Sequence, residues 1–554
     1  MGVKYFFSFI KNRYPNCVVP HNLEKYGKVD NLMIDLNGIF HTCSQRVYGE
    51  GGGINYYMTY KPKIPSLKQQ LETYNRIWDT IVKITELCVP TKRLLLCIDG
   101  VAPFSKQTQQ RQRRFRSVKE KVAGEWDSNV ITPGTQFMDN LSKFIDYKIH
   151  ESMMTRENWK NLEIIFSSEK VPQEGEHKII KWVREQSDLG ESYCLHGMDA
   201  DLVMLGLTSG KKRFTILRQN HRNPDEHFVI DIDLLSDNLK STIKIEGLDK
   251  ETLIRDFVFM LFSVGNDFLP HLPAIEILEG GIEVLFETYR LNFIKYGCLT
   301  HSVEGKFILR KESFKGFLET LGEYEEDILN NKCNKYVGYE DSILEECKTV
   351  KDGKYVVDFE KYKSIYYSKH FPKVKLEEVC KKYIEGLQWV LNYYTTGITS
   401  WKWHFPYYYT VFSSDLSKYI DNYTHITYPP TEPLSPFEQL LCVLPPFSAN
   451  ILPPPLNTLL TEKSPIKEFY PSHFEVDLEG KRNDWEGIAI LPFIDLTVIQ
   501  KYYRKYVKDV DVKYLRRNII NSGLIYKYSK ESPYKEHKSY YGLVLNKIVT
   551  NNFF

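Results

Sequence analysis

The chain has 554 residues, and at about 150 residues per domain this length predicts two to four domains. Its content of hydrophobic and charged residues is ordinary for a globular protein. No apolar stretch approaches the roughly 18 residues that span a bilayer, so we expect no membrane segment. A net charge of +2 does not by itself predict a polyanionic partner.

The start of the chain lacks the charged and apolar regions of a signal peptide. The ten cysteines form no CxxC pair, and several lie inside apolar runs. Both patterns predict a protein that stays inside the cell and keeps its thiols reduced.

Strand-like apolar runs alternate with helix-like stretches in the first half of the chain. The predicted strands are residues 31–35, 94–99, 162–167, 193–198, 214–218 and 228–231, and the predicted helices include 67–88, 106–122 and 177–186. This alternation predicts the α/β fold class, with a mostly parallel sheet flanked by helices. The Gly51-Gly52-Gly53 run predicts a flexible loop. It is not predicted to bind phosphate, because the Gly-Lys-Ser/Thr sequence of a P-loop does not follow it.

Changes in composition divide the rest of the chain. After a predicted core at residues 1–294, residues 295–375 are charged and weakly periodic, which predicts a connecting or inserted helical region. Residues 376–500 are rich in aromatic residues and proline, and we interpret them as a second, mainly helical block. Residues 501–554 are predicted to form a tail that packs on the core.

Seven acidic residues stand where apolar runs of the sequence end. They are Asp35, Asp99, Glu174, Glu176, Asp199, Asp201 and Asp267. Because the carboxyl ends of parallel strands meet at one edge of a sheet, we expect these side chains to converge. Converging carboxylates repel one another unless cations lie between them, and hard oxygen ligands suit Mg²⁺ or Mn²⁺. The pattern predicts metal-assisted phosphoryl transfer, although each acidic pair taken alone is more often a solvated loop pair.

A basic segment follows the carboxylate at position 99. Within it, Lys106, Gln110, Arg113 and Arg114 recur at helical spacing and fall on one face of the predicted helix. Arginine offers planar paired donors, lysine a point charge and glutamine a neutral donor, so the group suits a terminal phosphate. The alternative is a plain amphipathic surface helix.

Aromatic residues near the predicted site are candidates for stacking on nucleobases. His41 follows the first carboxylate and is predicted to begin a helix beside the site. Trp401 and Trp403 lie in an aromatic segment and are candidates for a second stacking surface. The alternatives are a helix-capping or core histidine and an aromatic core cluster.

Long ordered segments of the chain match a known pattern. They are residues 30–39, 98–103, 109–116, 131–135, 171–178, 198–207 and 264–273, followed by 383–416, 436–440, 443–446 and 485–495. In these segments the chain resembles the Xrn-type 5′-to-3′ exoribonucleases, relatives of the flap-endonuclease and PIN-like nucleases. The resemblance covers most of residues 1–290 and 376–500.

The resemblance implies a processive enzyme that degrades 5′-monophosphorylated single-stranded RNA to nucleoside 5′-monophosphates. It implies that the seven carboxylates bind Mg²⁺, with Mn²⁺ as an alternative and two ions as the expected number. The four residues of the basic group would hold the 5′-monophosphate, and His41 with one of Trp401 or Trp403 would sandwich the leading bases. Pro103 would help form a narrow entrance for a single strand, and the block at 376–500 would complete the substrate channel.

Two departures from the family pattern and the end of the chain add further expectations. Phe104-Ser105 stands where relatives often have a basic residue, and Val3-Lys4 lacks the family's proline. The chain stops about sixty residues after the second block, which predicts a compact form without long C-terminal modules. This compact form favours a viral or otherwise reduced version.

We expect a monomer that acts on RNA in the cytoplasm, or in the host cytoplasm or virion if the protein is viral, with the nucleus left open. Decapping or RNA-cleavage factors are candidate partners. Two other functions stay open: a structure-specific 5′ DNA nuclease and a catalytically inactive RNA-binding scaffold. The predicted stacking residues and the second block argue against the first, and the complete carboxylate set argues against the second.

Overall fold

The computed structural model describes residues 3, 5–49, 66–119, 126–187, 189–220, 223–335, 338–422 and 426–553. The loop predicted at Gly51-Gly52-Gly53 lies outside the described residues, and so does the end of the helix predicted at 106–122. Among the described helices, none has the length and apolar character needed to cross a membrane.

Strands occur along the whole described chain. They are β1 Val18–Pro20, β2 Lys28–Asp35, β3 Val89–Cys97, β4 Glu163–Ser167, β5 Tyr193–His196, β6 Phe214–Gln219, β7 His227–Asp231, β8 Thr300–Val303, β9 Lys306–Leu309, β10 Lys348–Lys351, β11 Lys354–Val357, β12 Glu475–Asp477, β13 Ile488–Ile490, β14 Gly523–Tyr528, β15 Lys535–Ser539, β16 Gly542–Asn546 and β17 Ile548–Phe553. Nine of them form one central sheet, and the others form two-stranded sheets.

The α-helices surround this sheet and form most of the region between residues 232 and 443. They are α1 Phe6–Arg13, α2 Leu23–Tyr26, α3 Asn37–Tyr48, α4 Leu67–Leu87, α5 Phe104–Ser117, α6 Gln136–Thr155, α7 Glu157–Lys160, α8 Gly175–Glu185, α9 Asp201–Leu207, α10 Ile232–Ile243, α11 Lys250–Leu261, α12 Gly281–Tyr296, α13 Lys311–Gly322, α14 Glu325–Cys333, α15 Ser342–Cys347, α16 Phe359–His370, α17 Leu376–Thr395, α18 Ser413–Tyr419, α19 Pro436–Val443, α20 Leu496–Tyr506 and α21 Val512–Leu515.

The strand order in the central sheet is β1-β7-β6-β5-β2-β3-β4-β14-β17. The central strands β6, β5, β2, β3 and β4 run parallel, and strands that pair antiparallel complete each edge. The predicted α/β class, with a mostly parallel sheet flanked by helices, is confirmed. Each strand predicted in the first half of the chain overlaps an observed strand.

Both faces of the sheet are buried, which explains why its strands are nearly continuous apolar runs. Along β2, Met33 belongs to the core on one face, whereas Leu32 and Ile34 belong to the core on the other. This alternation follows from the two-residue period of a strand. Helices α8 to α11 pack on the first face, and α3, α4 and α6 pack on the second.

The register of the parallel strands brings their carboxyl ends to one edge of the sheet. Asp35 at the end of β2 lies beside Cys97 at the end of β3, and Cys97 lies beside Ser167 at the end of β4. On the other side, Ile34 lies beside His196 at the end of β5. The segments that leave this edge lead to α5, α8 and α9, so the residues that follow the strands are gathered there.

The described parts of the chain after residue 294 pack directly on the predicted core at residues 1–294. Residues 295–375 form α13 to α16 with two small antiparallel pairs, and Phe317 and Tyr366 belong to the same core as Met33 of the sheet. The C-terminal segment adds β14 and β17 to the sheet, where Leu524 lies opposite Phe166 of β4. No sequence pattern had predicted these two strands. The domain boundaries stay predictions.

Candidate metal centre and adjoining cationic pocket

A cavity of about 630 Å³ opens at the carboxyl edge of the sheet. Its lining includes Asp35, Asp99, Glu174, Glu176 and Asp199, together with His41, Lys106, Gln110, Arg113 and Arg114. Among the described residues, the predicted site residues outside this lining are Asp201, Asp267, Pro103, Trp401 and Trp403. The structure therefore brings most of the predicted acidic group and the predicted phosphate group to one place.

Three of the carboxylates are close enough to share one ion. One oxygen atom from each of Asp35, Asp99 and Glu176 lies within 4.8 Å of the other two. Asp35 ends β2, Asp99 follows β3, and Glu176 stands in the first turn of α8. The Oδ1 atom of Asp35 is buried without a hydrogen-bond partner among the described residues, which is costly unless a ligand satisfies it.

Hydrogen bonds from two neighbouring elements hold Asp99 in place. Asn37 Nδ2 donates to Asp99 Oδ2 at 2.8 Å, and Asn37 Oδ1 accepts from the Asp99 backbone N–H at 3.0 Å. The Gly175 N–H at the start of α8 donates to Asp99 Oδ1 at 2.7 Å. A Cβ atom added at position 175 would lie 2.7 Å from Asp35 Oδ1, so a larger residue there would displace the Asp35 side chain.

Two further carboxylates are paired with groups of the chain itself. The Lys106 ammonium group contacts Glu174 Oε1 and lies 2.7 Å from Asp267 Oδ2. The Tyr393 hydroxyl, which comes from α17, donates to Glu174 Oε2 at 2.7 Å. The helical second block therefore contacts the acidic centre through a hydrogen bond of its own.

Asp199 and Asp201 lie close to the start of α9 and differ in burial. Asp199 is exposed on the cavity wall. Asp201 is buried and accepts a hydrogen bond from the Val3 N–H at 3.2 Å. This acidic pair is thus divided between the cavity and the protein interior.

Burial and mutual repulsion favour the neutral form of several carboxyl groups. Burial first, and the charges of neighbouring carboxylates second, raise the pKa of Asp35 and that of Glu176 well above the usual range. The same two causes raise the pKa of Asp201 to about 7. Burial would also raise the pKa of Asp267, but the charge of Lys106 outweighs it and the pKa is lowered. Lys106 therefore favours the ionised form of Asp267.

The donor atoms of the centre fit a hard divalent cation. Carboxylate oxygens are the ligands that Mg²⁺ and Mn²⁺ prefer, and the buried Asp35 Oδ1 atom has no hydrogen-bond partner within the described ranges. His177 lies next to Glu176, but its ring stacks on that of Tyr393 with 3.7 Å between centroids. Burial lowers the pKa of His177 well below its usual value, which favours the neutral ring, and one of its nitrogen atoms lies within 4.8 Å of a carboxylate oxygen of Glu174 and of Glu176.

The four residues of the predicted phosphate group have different environments. Gln110 is buried, and its Oε1 atom has no hydrogen-bond partner among the described residues. Arg114 is buried, and its Nη1 atom donates to the Thr132 hydroxyl. Arg113 is exposed on the cavity wall, whereas Lys106 turns towards the carboxylates. The pocket therefore joins the acidic centre at Lys106.

The structure does not place the predicted stacking residues in one cavity of the described chain. His41 lies on α3 and lines the same cavity as the carboxylates. Trp403 packs on Trp389 with 5.4 Å between ring centroids, and Trp401 lines two other cavities. Pro103 is buried directly before α5. The sandwich of bases and the narrow entrance stay predictions.

Three residues around the centre had not been predicted. Asn37 stands two residues after Asp35, and this spacing was the available signal. Tyr393 is 219 residues from Glu174 along the chain, so no local pattern indicates their contact. Lys178 lies behind the centre, donates to backbone carbonyl groups of the segment before α8, and has a pKa that burial lowers to about 8.

Two family models match the chain. Residues 1–220 match the XRN 5'-3' exonuclease N-terminus, and residues 247–358 and 357–550 match the Xrn1 helical domain. The chain belongs to the Xrn family. The two matched regions of the Xrn family together supply the carboxylates, the basic helix and Tyr393.

Relatives within the Xrn family differ in how much of their length the chain matches. The chain is 32% identical to 5'-3' exoribonuclease 1 of Homo sapiens, over 89% of this chain and 33% of that protein. It is 29% identical to the 5'-3' exoribonuclease 2 homolog of Drosophila melanogaster, over 97% of this chain and 74% of that protein. For 5'-3' exoribonuclease 1 of Schizosaccharomyces pombe the identity is 28%, over 96% of this chain and 50% of that protein. The chain thus spans a third to three quarters of these relatives.

Among solved structures, the catalytic core of Rad2 in complex with DNA substrate is similar to this chain. The TM-score is 0.34 at 13% identity, over 74% of this chain and 92% of that chain.

Proposed function

We propose that this member of the Xrn family is a 5′-to-3′ exoribonuclease. It degrades 5′-monophosphorylated single-stranded RNA by metal-assisted hydrolysis and releases nucleoside 5′-monophosphates one after another. The observation that carries the proposal is the shared cavity, in which a group of carboxylates and a cationic pocket adjoin. The relatives are named exoribonucleases, which supports RNA as the substrate class.

Asp35, Asp99 and Glu176 would hold one Mg²⁺ or Mn²⁺ ion, because their oxygen atoms converge and one of these atoms has no hydrogen-bond partner in the described part of the chain. Such an ion, when bound, acts as a Lewis acid that lowers the pKa of water and stabilises developing negative charge. Asn37 and Gly175 orient Asp99 through hydrogen bonds. The fold therefore orders this ligand before the substrate arrives.

Gln110, Arg113 and Arg114 would hold the terminal phosphate of the RNA. Guanidinium groups donate paired hydrogen bonds to phosphate oxygens, and the Thr132 hydroxyl already positions Arg114. Because the pocket and the carboxylates line one cavity, a terminal phosphate held here directs the next phosphate towards the acidic centre. Hydrolysis leaves a new 5′-phosphate on the shortened RNA, so the same recognition repeats at each step.

The proposal is tested by measuring Mg²⁺-dependent release of mononucleotides from RNAs that differ only at the 5′ end. The ends are monophosphate, triphosphate and hydroxyl, and DNA of the same sequence is the fourth substrate. We expect release from monophosphorylated RNA alone, and its loss in Asp199→Ala, which changes an exposed residue of the cavity wall.

Other outcomes of this experiment assign other functions. Equal or better cleavage of DNA, or internal cuts, would assign a structure-specific 5′ nuclease. No cleavage of any substrate by a folded, Mg²⁺-loaded chain would assign an RNA-binding scaffold.

We further propose that the chain acts as a processive monomer in the cytoplasm, on RNA ends made by decapping or endonucleolytic cleavage. The resemblance to Xrn-type enzymes supports these finer points. Processivity is tested by adding excess unlabelled RNA after the reaction has begun. A processive enzyme completes the molecules that it has started, whereas a distributive enzyme leaves intermediates of every length.

A further inference from the structure

The buried carboxylates of the centre fall into two parts that differ in counter-charge. Asp35, Asp99 and Glu176 form the open part, in which the described residues make no salt bridge. Asp35 is 8% exposed, and its Oδ1 atom has no hydrogen-bond partner among the described residues. The open part therefore presents donor atoms that no salt bridge of the described residues occupies.

Glu174 and Asp267 form the closed part, in which a cation of the chain is already present. The Lys106 ammonium group contacts Glu174 Oε1 and lies 2.7 Å from Asp267 Oδ2. A Mg²⁺ ion bound to the same oxygens would lie about 2.0–2.1 Å from each of them. The ammonium group and the ion would then be in contact, and their repulsion excludes simultaneous binding.

The closed part keeps its shape by means that do not involve Lys106. The Tyr393 hydroxyl donates to Glu174 Oε2 at 2.7 Å, and Gln109 Nε2 donates to Asp267 Oδ1 at 3.4 Å. Among the contacts of the described residues, each carboxylate has a neutral donor at one oxygen and the ammonium group of Lys106 at the other. If a metal ion replaced the ammonium group, the two oxygen atoms that the ammonium group contacts, Glu174 Oε1 and Asp267 Oδ2, would already be held in position.

We propose that Lys106 is an exchangeable counter-cation. Its ammonium group excludes a metal ion from the closed part until the 5′-phosphate of an RNA draws the ammonium group away. This inference rests on the proposed function, because it takes the terminal phosphate of RNA as the ligand that displaces Lys106.

The position of Lys106 allows this exchange. It lines the cavity and stands one helical turn before Gln110 on α5, so both side chains share a face of the helix. The lysine stem is flexible, and a terminal phosphate carries a charge of about −1.5 to −2 at neutral pH. Such a phosphate competes with Glu174 and Asp267 for the ammonium group, whereas a 5′-hydroxyl end does not.

Because of this exchange, the chemical group at the 5′ end of the RNA determines whether a metal ion binds to the closed part. The second ion is the one that would bind to the closed part. If the 5′-phosphate of an RNA tightens the binding of this ion, thermodynamic linkage requires the ion to tighten the binding of the RNA by the same factor. An RNA with a 5′-phosphate therefore completes the site that hydrolyses it. An RNA with a 5′-hydroxyl leaves the closed part occupied by Lys106.

The first test counts Mn²⁺ ions bound to the RNA-free chain by electron paramagnetic resonance titration. We expect one ion on the wild type at Mn²⁺ concentrations where Lys106→Gln binds two. The matched control is Lys332→Gln, because Lys332 pairs with Glu276 at 3.1 Å and its side chain is 12% exposed, the same as that of Lys106. This control is expected to bind as many ions as the wild type.

The second test needs only the wild type and so holds even if Lys106→Gln fails to fold. The probes are short RNAs with an uncleavable first linkage that carry either a 5′-phosphate or a 5′-hydroxyl. We expect the phosphate-bearing RNA to tighten binding of the second Mn²⁺ ion by at least ~10-fold, and the hydroxyl-bearing RNA to leave it unchanged.

Three results would overturn the inference. They are two ions on the RNA-free wild type, equal ion counts in the wild type and folded Lys106→Gln, and equal effects of the two RNA ends. These measurements count ions and not reaction products. A chain that degrades RNA but shows any of these results therefore refutes the role of Lys106 and leaves the proposed function intact.

Discussion

Asp35 and Asp139 are both buried aspartates, but their surroundings differ. Asp139 on α6 lies 2.6 Å from Lys143 Nζ, 3.1 Å from Lys170 Nζ and 3.4 Å from Arg516 Nε. These contacts outweigh the effect of burial and lower the pKa of Asp139. Asp35 forms no salt bridge with the described residues, and burial beside other carboxylates raises its pKa well above the usual range.

This difference separates a structural carboxylate from a functional one. A buried charge that serves only the fold is paired by the chain itself, as Asp139 is. Asp35 lowers the stability of the metal-free fold, and a bound cation would remove that cost. Unpaired acidic groups of this kind are typical of sites that bind ions or perform catalysis.

The largest expected effect is the loss of hydrolysis in Asp35→Asn. We expect the single-turnover rate on 5′-monophosphorylated RNA to fall by ~10²-fold or more, because a metal ligand is lost. The free energy of unfolding of the metal-free protein should rise, since Asn removes the cost of burying a carboxyl group beside other carboxylates. Single-turnover kinetics and urea unfolding in EDTA measure both quantities.

Asp139→Asn is the opposite case and serves as the control for Asp35→Asn. The lysines around Asp139 lose their acceptor, so the free energy of unfolding should fall by about 1–3 kcal/mol, whereas hydrolysis should stay near the wild-type rate. A folded Asp139→Asn protein without activity, or an active Asp35→Asn protein, would contradict the distinction between the two aspartates.

Metal addition is expected to stabilise the wild type by a smaller amount. At a Mg²⁺ concentration 100 times the dissociation constant, the free energy of unfolding should rise by about 2.7 kcal/mol, and EDTA should reverse the gain. Asp139→Asn should respond like the wild type, and Asp35→Asn should not respond. Denaturant unfolding with and without Mg²⁺ gives the comparison, and an equal response of both variants would place the ion elsewhere.

In EDTA, Asp201 and Asp139 should make the free energy of unfolding depend on pH in opposite directions. The pKa of Asp201 is raised from 3.8 to about 7, so its stabilising contribution is full below pH 3.8 and is lost as the pH rises to about 7. The lowered pKa of Asp139 has the reverse effect, because its contribution is present above the unfolded pKa and is lost in acid. Each proton changes the free energy of unfolding by at most ~1.4 kcal/mol per pH unit.

Unfolding measured across this pH range tests both signs. In Asp201→Asn, the free energy of unfolding should fall less than in the wild type as the pH rises from 3.8 to about 7. In Asp139→Asn, it should fall less than in the wild type as the pH is lowered into the acid range. If Asp201→Asn instead had a lower free energy of unfolding than the wild type at neutral pH, the result would contradict a raised pKa for Asp201.

The smallest expected effect concerns the hydroxyl group of Tyr393. Tyr393→Phe removes the hydrogen bond to Glu174, so we expect ~10-fold slower hydrolysis and a loss of about 1 kcal/mol in the free energy of unfolding. Tyr289→Phe is the matched control, since its buried hydroxyl donates to Asp256 Oδ2 at 2.7 Å outside the cavity. The control should lose similar stability and keep full activity, and slower hydrolysis in both variants would remove any special role of Tyr393.

The sequence predicted the interior strands well and the pairing of more distant segments poorly. The apolar run before Asp35 was sufficient to place β2, because a strand buried on both faces is continuously apolar. Residues 89–93, of which the last three are polar, were missed as part of β3, since they become a strand through pairing with the start of β2. The pairing of Leu524 with Phe166 was missed for a similar reason, because it joins segments far apart in the chain.

The sequence by itself determined which residue types stand at the strand ends and which face of α5 carries cationic groups. Strand and helix periods are local, so a short window of residues shows them. Only the tertiary structure decided which carboxylates are paired and which remain open. The contact of Lys106 with Asp267 spans 161 residues, and it exists because α5 and the segment after α11 pack at the same edge of the sheet.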